Sequence, residues 1–320
     1  MKLSVQKNRT EAIAAACAAL DRGEVVGIPT ETVYGLAADA TNGQAVQRIF
    51  SIKRRPSFNP LICHCSDIDM ARRLAHFDPM AKALAEACWP GPLTLVLPMR
   101  ADAGLPAITT AGLETVAIRV PSGFSSDLIK AFGKPLAAPS ANISGKVSAT
   151  SADHVVADLG AAVRLVLDDG PTPIGVESTI LKIDGGEVRL LRSGGLTVER
   201  IAVTTGIEVL TKIQSEKIVA PGMMESHYAP NAVVRLNAVD AKVGEVVLTF
   251  GATPHRYELA AAILSLSASG DLEEAARNLY AMLKAADEIA PNGIAVAPIP
   301  EIGMGVAIND RLRRAAAPRP

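Results

Sequence analysis

Aromatic residues make up only 3% of the 320-residue chain. So few rings rule out the base-stacking platforms that grip single-stranded nucleic acid, and Ala, Val, Ile and Leu must fill the interior. A dominant charge is missing too: 32 Lys and Arg stand against 33 Asp and Glu, a formal net charge of -1. With no global field to draw RNA or an acidic membrane, any anion site has to be local. Cysteine is scarce. Cys17, Cys63, Cys65 and Cys88 show no repeated pair spacing, the usage of reduced thiols rather than of a disulfide frame. In "ICHCSD", Cys63, His64 and Cys65 would alternate faces on a strand, and no second cluster completes four ligands, so no zinc site is expected. No run reaches the roughly 18 apolar residues of a membrane span. Glu11 interrupts the region a signal peptide would keep apolar. A cytoplasmic protein with no membrane partner is expected.

What is present is alternation, over a length that suggests about two domains. "TEAIAAACAALDRG" predicts a helix from Thr10 to about Arg22, with Thr10 as N-cap and Gly23 past its end; "EVVGIP" then predicts a strand. "GQAVQRIFSIK", "SDIDMARRLAHF", "DPMAKALAEAC" and "SADHVVADLG" read as further helices, and "PLICHC", "PLTLVLP", "ETVAIRVP", "PLAAPS", "RLVLDD", "STILKID" and "EVRLLRSG" as strands. The pattern predicts a layered α/β domain over residues 1–210 with a mixed sheet, because the last strands follow one another directly. Residues 211–232 have little periodicity and carry Pro221, Gly222 and Pro230, which makes them a linker or a functional loop. Over residues 233–320 the pattern restarts with strands "VVRLN", "EVVLTFG" and "GIAVAPIP". Helices are expected from about Tyr257 to Leu266, Asp271 to Ile289 and Gly305 to Ala316, giving a small second α/β unit.

The densest chemistry is in "IKRRPSFNPL", residues 52–61. A helix must stop by Arg55, since the residue before a proline is pushed out of the α region, and Asn59 before Pro60 is forced extended. Lys53 and Arg55 are thereby expected on a rigid, exposed segment. Cations at a helix C-terminus complement its dipole. Yet between Ala40 and Ser66 stand Arg48, Lys53, Arg54 and Arg55 and no Asp or Glu, so a polyanion is the missing partner. No standard nucleotide loop holds it. Gly145-Lys146 is followed by Val147, Ser140 occupies the place of a Walker A glycine, and no G-x-G-x-x-G follows a strand. Flavin and nicotinamide are not expected.

Three polar loops stand at strand ends: "IPTETVYG" with Thr30, Glu31 and Thr32; "PSANISGKVSAT" with Ser140 and Asn142; and "GVESTI" with Glu177, Ser178 and Thr179. If the chain leaves its strand extended, Ser140 and Asn142 share a face. Such residues cap helices and close turns everywhere, but ligands of α/β sheets bind in the crevice that strand ends form. Arg119 interrupts an apolar strand, as an edge cation reaching water or a buried one awaiting a carboxylate or phosphate. Arg192 in "LLRSGG" is similar, and His64 reads as a core histidine. No Ser/His/Asp or Cys/His arrangement and no G-x-S-x-G is present. The residues thus point to an anion site of Lys53, Arg55, Arg119 and Arg192 without a protein nucleophile, suited to phosphoryl or adenylyl transfer.

Together, Thr30-Glu31-Thr32-Val33-Tyr34-Gly35-Leu36, Lys53-x-Arg55 with Asn59-Pro60-Leu61 and His64, Ser140-x-Asn142 and Glu177-Ser178-Thr179 resemble the YrdC-like domain of the threonylcarbamoyl-adenylate synthase family. The Lys-x-Arg and Ser-x-Asn pairs are that family's hallmarks, and "PGMMESHYAP" with the appended unit resembles its long, two-domain form. The resemblance implies an α/β fold, a twisted mixed open sheet with helices around a concave cavity, plus a small Rossmann-like C-terminal domain. It implies that L-threonine, bicarbonate and ATP give threonylcarbamoyl-AMP and diphosphate. The product would pass to tRNA threonylcarbamoyl-transfer proteins, so tRNA is met only indirectly. ATP would be held by Lys53, Arg55, Asn59, Thr115, Ser140, Asn142, Ser148, Arg192 and Tyr228. L-Threonine would meet Thr30 or Thr32, His64, Arg119 and Ser178 or Thr179, with Arg119 on its carboxylate. Mg²⁺ would ride on the phosphates with mostly water ligands. Tyr228, with His227, would close over the nucleotide. The competing expectation is an RNA-binding module that turns the same cations to RNA phosphates.

Overall fold

The computed structural model describes residues 1–211, 227–252, 256–289 and 292–318. Short β-branched and leucine-rich runs give β1 (Lys2–Ser4), β2 (Val26–Ile28), β3 (Gly35–Asp39), β4 (Ile62–His64), β5 (Leu93–Pro98), β6 (Thr115–Arg119), β7 (Leu136–Ala137), β8 (Leu165–Asp168), β9 (Thr179–Asp184) and β10 (Glu187–Arg192). They form one ten-stranded sheet in the order β1-β8-β2-β3-β7-β4-β6-β5-β9-β10. It is mixed, as expected: β4 and β6 run parallel, as do β5 and β9, while β9 and β10 form an antiparallel pair. Around it lie α1 (Arg9–Asp21), α2 (Gly43–Lys53), α3 (Ile68–Leu74), α4 (Pro79–Cys88), α5 (Ala107–Thr110), α6 (Phe124–Phe132), α7 (Ala152–Leu159) and α8 (Val198–Thr205).

Helix α2 spans the expected residues; Asn42 caps its start, and Arg54 closes its end in the left-handed region at φ 52°. Helix α1 starts earlier than expected because Asn8, not Thr10, is the N-cap, its side chain accepting the Glu11 amide at 3.1 Å. Strand β3 and helix α6 were not foreseen. "GLAAD" lacks β-branched residues and is buried throughout, so neither β propensity nor an alternating pattern marks it.

The second unit has a four-stranded sheet, ordered β11 (Val234–Arg235), β14 (Gly293–Val296), β12 (Glu245–Phe250), β13 (Ala262–Ser267), all parallel. Helices α9 (Leu272–Ile289) and α10 (Met304–Ala316) lie against it. The helix expected from about Tyr257 to Leu266 is incorrect, because the end of that stretch is β13. Alanines 260–262 suggest a helix, but Leu264-Ser265-Leu266-Ser267 has period two, and pairing of Val247 with Ile263 and Leu248 with Leu264 overrides local propensity. Of the expected linker, residues 212–226 lie outside the described residues. His227–Pro230 run between the two units: the His227 amide donates to Arg314 O at 3.3 Å and the Ala229 amide to Gly145 O at 2.8 Å. No helix among the described residues is long and apolar enough to cross a membrane.

The main core of the large sheet includes Cys63, Leu95, Ile118 and Ala137. On the other face a small apolar floor, Ile62, Val96, Ala117, Ile180 and Leu191, forms a separate cluster.

Candidate active site

Strand periodicity turns that floor into a polar site. Two residues along from Ile62, Ala117, Val96 and Ile180 stand His64, Arg119, Thr94 and Ser178, which therefore face the same side. Register brings them together: His64 pairs with Arg119, and Thr94 pairs with Arg119 and Ile180. An irregularity between Leu190 and Arg192 sets Arg192 opposite Ile180 and turns its side chain to this face. Cys63 and Cys65, offset by one, turn to the main core. The result is a cavity on the concave face, largely filled by its own side chains. Thr30, Thr32, Arg55, His64, Arg119, Ser140, Glu177, Ser178, Arg192, His227 and Tyr228 line it.

The cationic corner is not exposed, contrary to expectation: Lys53 is 1% and Arg55 8% accessible. The left-handed turn at Arg54 sends the chain back under the sheet, and Arg54 faces out instead. Arg55 donates to Asn59 O at 3.0 Å, Asn59 Oδ1 at 2.7 Å and Pro60 O at 2.7 Å. Burial and the Arg192 charge push its guanidinium down to about 9. Arg192 donates to Ser178 O at 2.9 Å and Ser178 Oγ at 3.2 Å. Two buried guanidiniums raise each other's cost, and an anion between them would relieve it. Lys53 does not line the cavity. Its ammonium donates to Ser140 O at 2.6 Å and Asn142 O at 2.5 Å, so the Lys-x-Arg and Ser-x-Asn pairs are two halves of one brace.

On the other side, Thr30 Oγ1 lies 2.9 Å from Thr32 Oγ1 and donates to Val33 O at 2.6 Å, closing a tight turn. Arg119 donates to Thr32 Oγ1 at 2.8 Å and its NH2 lies 2.7 Å from Glu31 Oε2, so it is a buried cation that already has a carboxylate. His64 sits 3.2 Å from Ile62 O through Nδ1. Burial, then the Arg119 charge, push its pKa down to about 3; burial does the same to His227. Both rings are neutral in the fold, while in the unfolded chain each titrates near 6.5. Below that value the unfolded chain binds more protons, so stability falls as pH drops from about 6.5 towards 3. Between pH 7 and 5 the loss should be about 2 kcal/mol for each ring. Urea unfolding at the two pH values reads it, and an unchanged midpoint would contradict it.

Several expected contacts are not gathered in the cavity. Asn142 turns to brace its own loop, donating to Ile143 O and Lys146 O at 2.8 Å each. The Asn142 amide bonds Ser140 O at 3.1 Å, so the chain turns tightly here rather than staying extended, and the two side chains do not share a face. Ser148 donates to Glu177 Oε1 at 2.6 Å. Thr115 stands at the opposite end of β6 from Arg119, outside the lining. Asn59 serves as an acceptor for Arg55 rather than lining the cavity. Of the Ser178/Thr179 alternative, Ser178 lines the cavity and the Thr179 hydroxyl turns away to Leu196 O. Thr30 and Thr32 both line it. Thr94, within 2.7 Å of Ser178 Oγ, was missed, although its offset of two from Val96 marks its face. Arg311 and Tyr280, which hold Glu177, were missed as well; on amphipathic helices of another unit they carry no local signal.

A mixed α/β sheet whose concave face gathers buried arginines, small hydroxyls and a neutral histidine has the charge and hydrogen-bonding groups that suit a polyanion beside a small polar ligand. The chain belongs to the Sua5/YciO/YrdC family: the family model described as "Telomere recombination" matches residues 18–194, and that of the threonylcarbamoyl-AMP synthase C-terminal domain matches residues 196–317. It is 41% identical to the threonylcarbamoyl-AMP synthase of Bacillus subtilis, over 96% of this chain and 93% of that one. It is 40% identical to that of Pyrococcus abyssi, over 93% and 92%. The crystal structure of P. abyssi Sua5 complexed with L-threonine superposes with a TM-score of 0.87 at 36% identity, covering 99% of this chain and 97% of that one.

Proposed function

We propose that the chain makes threonylcarbamoyl-AMP from L-threonine, bicarbonate and ATP, releasing diphosphate and water. The observation that carries this reading is the pair of buried guanidiniums, Arg55 and Arg192, on one wall of a cavity whose other wall holds Arg119, Thr32 and His64. Residues 1–210 form the catalytic unit in this reading and residues 233–320 the appended one, working in the cytoplasm.

The threonine amine attacks bicarbonate carbon, and loss of water leaves a carbamate. A carbamate oxygen then attacks the α-phosphorus of ATP; the new O–P bond forms as the bond to the bridging oxygen breaks and diphosphate leaves. No protein nucleophile is needed. Arg55 and Arg192 take the charge that builds on the phosphate oxygens, worth most where water is excluded. Ser140, brought to the wall by Lys53, adds a hydroxyl there. Arg119 retains donors for the threonine carboxylate alongside Glu31. His64, too weakly basic to hold a proton at neutral pH, accepts a hydrogen bond through Nε2 and orients threonine rather than deprotonating it. Tyr228 and His227 cover the cavity and keep water from the labile mixed anhydride. The side chains present do not fit a metal cage: among the described residues no three His, Cys, Asp or Glu converge. Magnesium would arrive on the triphosphate with water ligands. The product would pass to the proteins that transfer threonylcarbamoyl to tRNA. The RNA-binding alternative is disfavoured by the burial of Lys53, Arg55, Arg119 and Arg192, which a duplex or folded RNA could not reach.

Diphosphate release measured with each substrate omitted in turn tests the reading. Release should require threonine and bicarbonate together; equal release without threonine would overturn it.

A further inference from the structure

Glu177 is where the second unit enters the site. Its Oε1 accepts from Ser148 Oγ at 2.6 Å, and its Oε2 from Tyr280 OH at 2.8 Å and Arg311 Nε at 2.9 Å. Arg311 is fully buried, also donates to Ser193 O at 2.8 Å, and lies 5.1 Å from the ring centre of Tyr228, which stacks on Tyr280. Gly194 is pressed so close that a Cβ there would stand 2.3 Å from Glu177 O. The next residue, Ser178, orients Arg192 through its carbonyl and hydroxyl. One connected path thus runs from α10 through Glu177 and Ser178 to a cation on the cavity wall. A buried ion pair gives little net stability compared with apolar residues of the same shape, so stability alone gives no reason for this one.

Resting on the adenylate-forming reading, we propose that Arg311 and Tyr280 are positioning residues of the reaction. By gripping the Glu177 carboxylate and the Tyr228 ring they set Ser178, and through it Arg192, against the phosphates of ATP. The second unit is then a working part of the site.

The groups facing Glu177 are Arg311 from α10 with Asp310 beside it, Tyr280 from α9, Arg192 at the end of β10, Ser148, Lys53 from α2, and His227 and Tyr228. Burial alone would raise the Glu177 carboxyl, but Arg311, Arg192 and the Ser148 hydroxyl hold it at about 2. Without Arg311 it should protonate within the assay range.

The test is steady-state synthesis by the full-length chain, with melting recorded for every variant. Arg311→Met should lower kcat/KM for ATP about 100-fold, leave KM for bicarbonate unchanged, and give an acid limb in the pH profile that the unsubstituted enzyme lacks. Arg311→Lys should remove that limb, and so should Glu177→Gln combined with Arg311→Met. If Arg311→Met does not fold, Tyr280→Phe, which loses one hydroxyl, should still lower kcat/KM for ATP about tenfold. A folded Arg311→Met, or else Tyr280→Phe, with unchanged kcat/KM for ATP overturns the proposal. Equal losses for all three substrates with an unaltered pH profile would show a merely structural role and overturn it too. If the unsubstituted chain makes no threonylcarbamoyl-AMP, the functional reading fails instead; the affinity for a non-hydrolysable ATP analogue, expected to weaken in Arg311→Met, then decides this proposal separately.

Discussion

Arg55→Ala should reduce threonylcarbamoyl-AMP synthesis by roughly 10²- to 10³-fold, the usual loss when one preorganised donor to developing charge is removed. Stability should change little. The substitution removes the Arg55 donors from Asn59 O, Asn59 Oδ1 and Pro60 O, beside a cavity that water can enter, at a cost of about 1 kcal/mol each. It also removes one of two mutually repelling buried cations, which offsets that cost. Rate and melting temperature measured on one preparation separate the effects. A rate within threefold of the unsubstituted enzyme would mean that Arg55 does not meet the reacting phosphates.

Lys53→Met should also abolish most activity, for a different reason. The ammonium holds two carbonyls of the loop that carries Ser140, and loosening that loop by an ångström is worth about 100-fold. Its effect on stability is a balance of opposing terms. Leaving two carbonyls without a donor costs about 1–3 kcal/mol each, while removing a buried cation returns a comparable desolvation cost. The melting temperature should therefore shift by less than about 5 °C. A clearer signature lies in pH. Burial, followed by repulsion from Arg55, lowers the folded-state pKa of Lys53 well below 10.5. Between that lowered value and 10.5 the unfolded chain binds more protons, so Lys53 makes stability rise with pH by up to about 1.4 kcal/mol per unit. The stability curves of the two proteins should therefore diverge as pH rises towards 10.5, and parallel curves would show that the Lys53 pKa is not lowered in the fold.

Which features were legible in the sequence follows from their range. Helix α2 and its stop before Pro56 are local, and could be read from proline sterics and caps. The identity of the hallmark pairs was legible too; their geometry was not. Burial of Arg55 follows a turn at Arg54 in the left-handed conformation, which a non-glycine residue rarely adopts. Ser140 and Asn142 part company because a tight turn breaks the period-two rule. His64, read as core, lies on the cavity wall because β4 has its core on one face and the site on the other. Strand β13 was hidden behind alanines, and Arg311 behind distance: 134 residues separate it from Glu177 in the chain.

The most direct test of the central claim, that Arg55 and Arg192 grip the polyphosphate, is a crystal structure with L-threonine and a non-hydrolysable ATP analogue. Phosphate oxygens should lie within about 3 Å of both guanidiniums, with the threonine carboxylate at Arg119. A triphosphate bound elsewhere, with Arg55 still engaged only by Asn59 and Pro60, would contradict it.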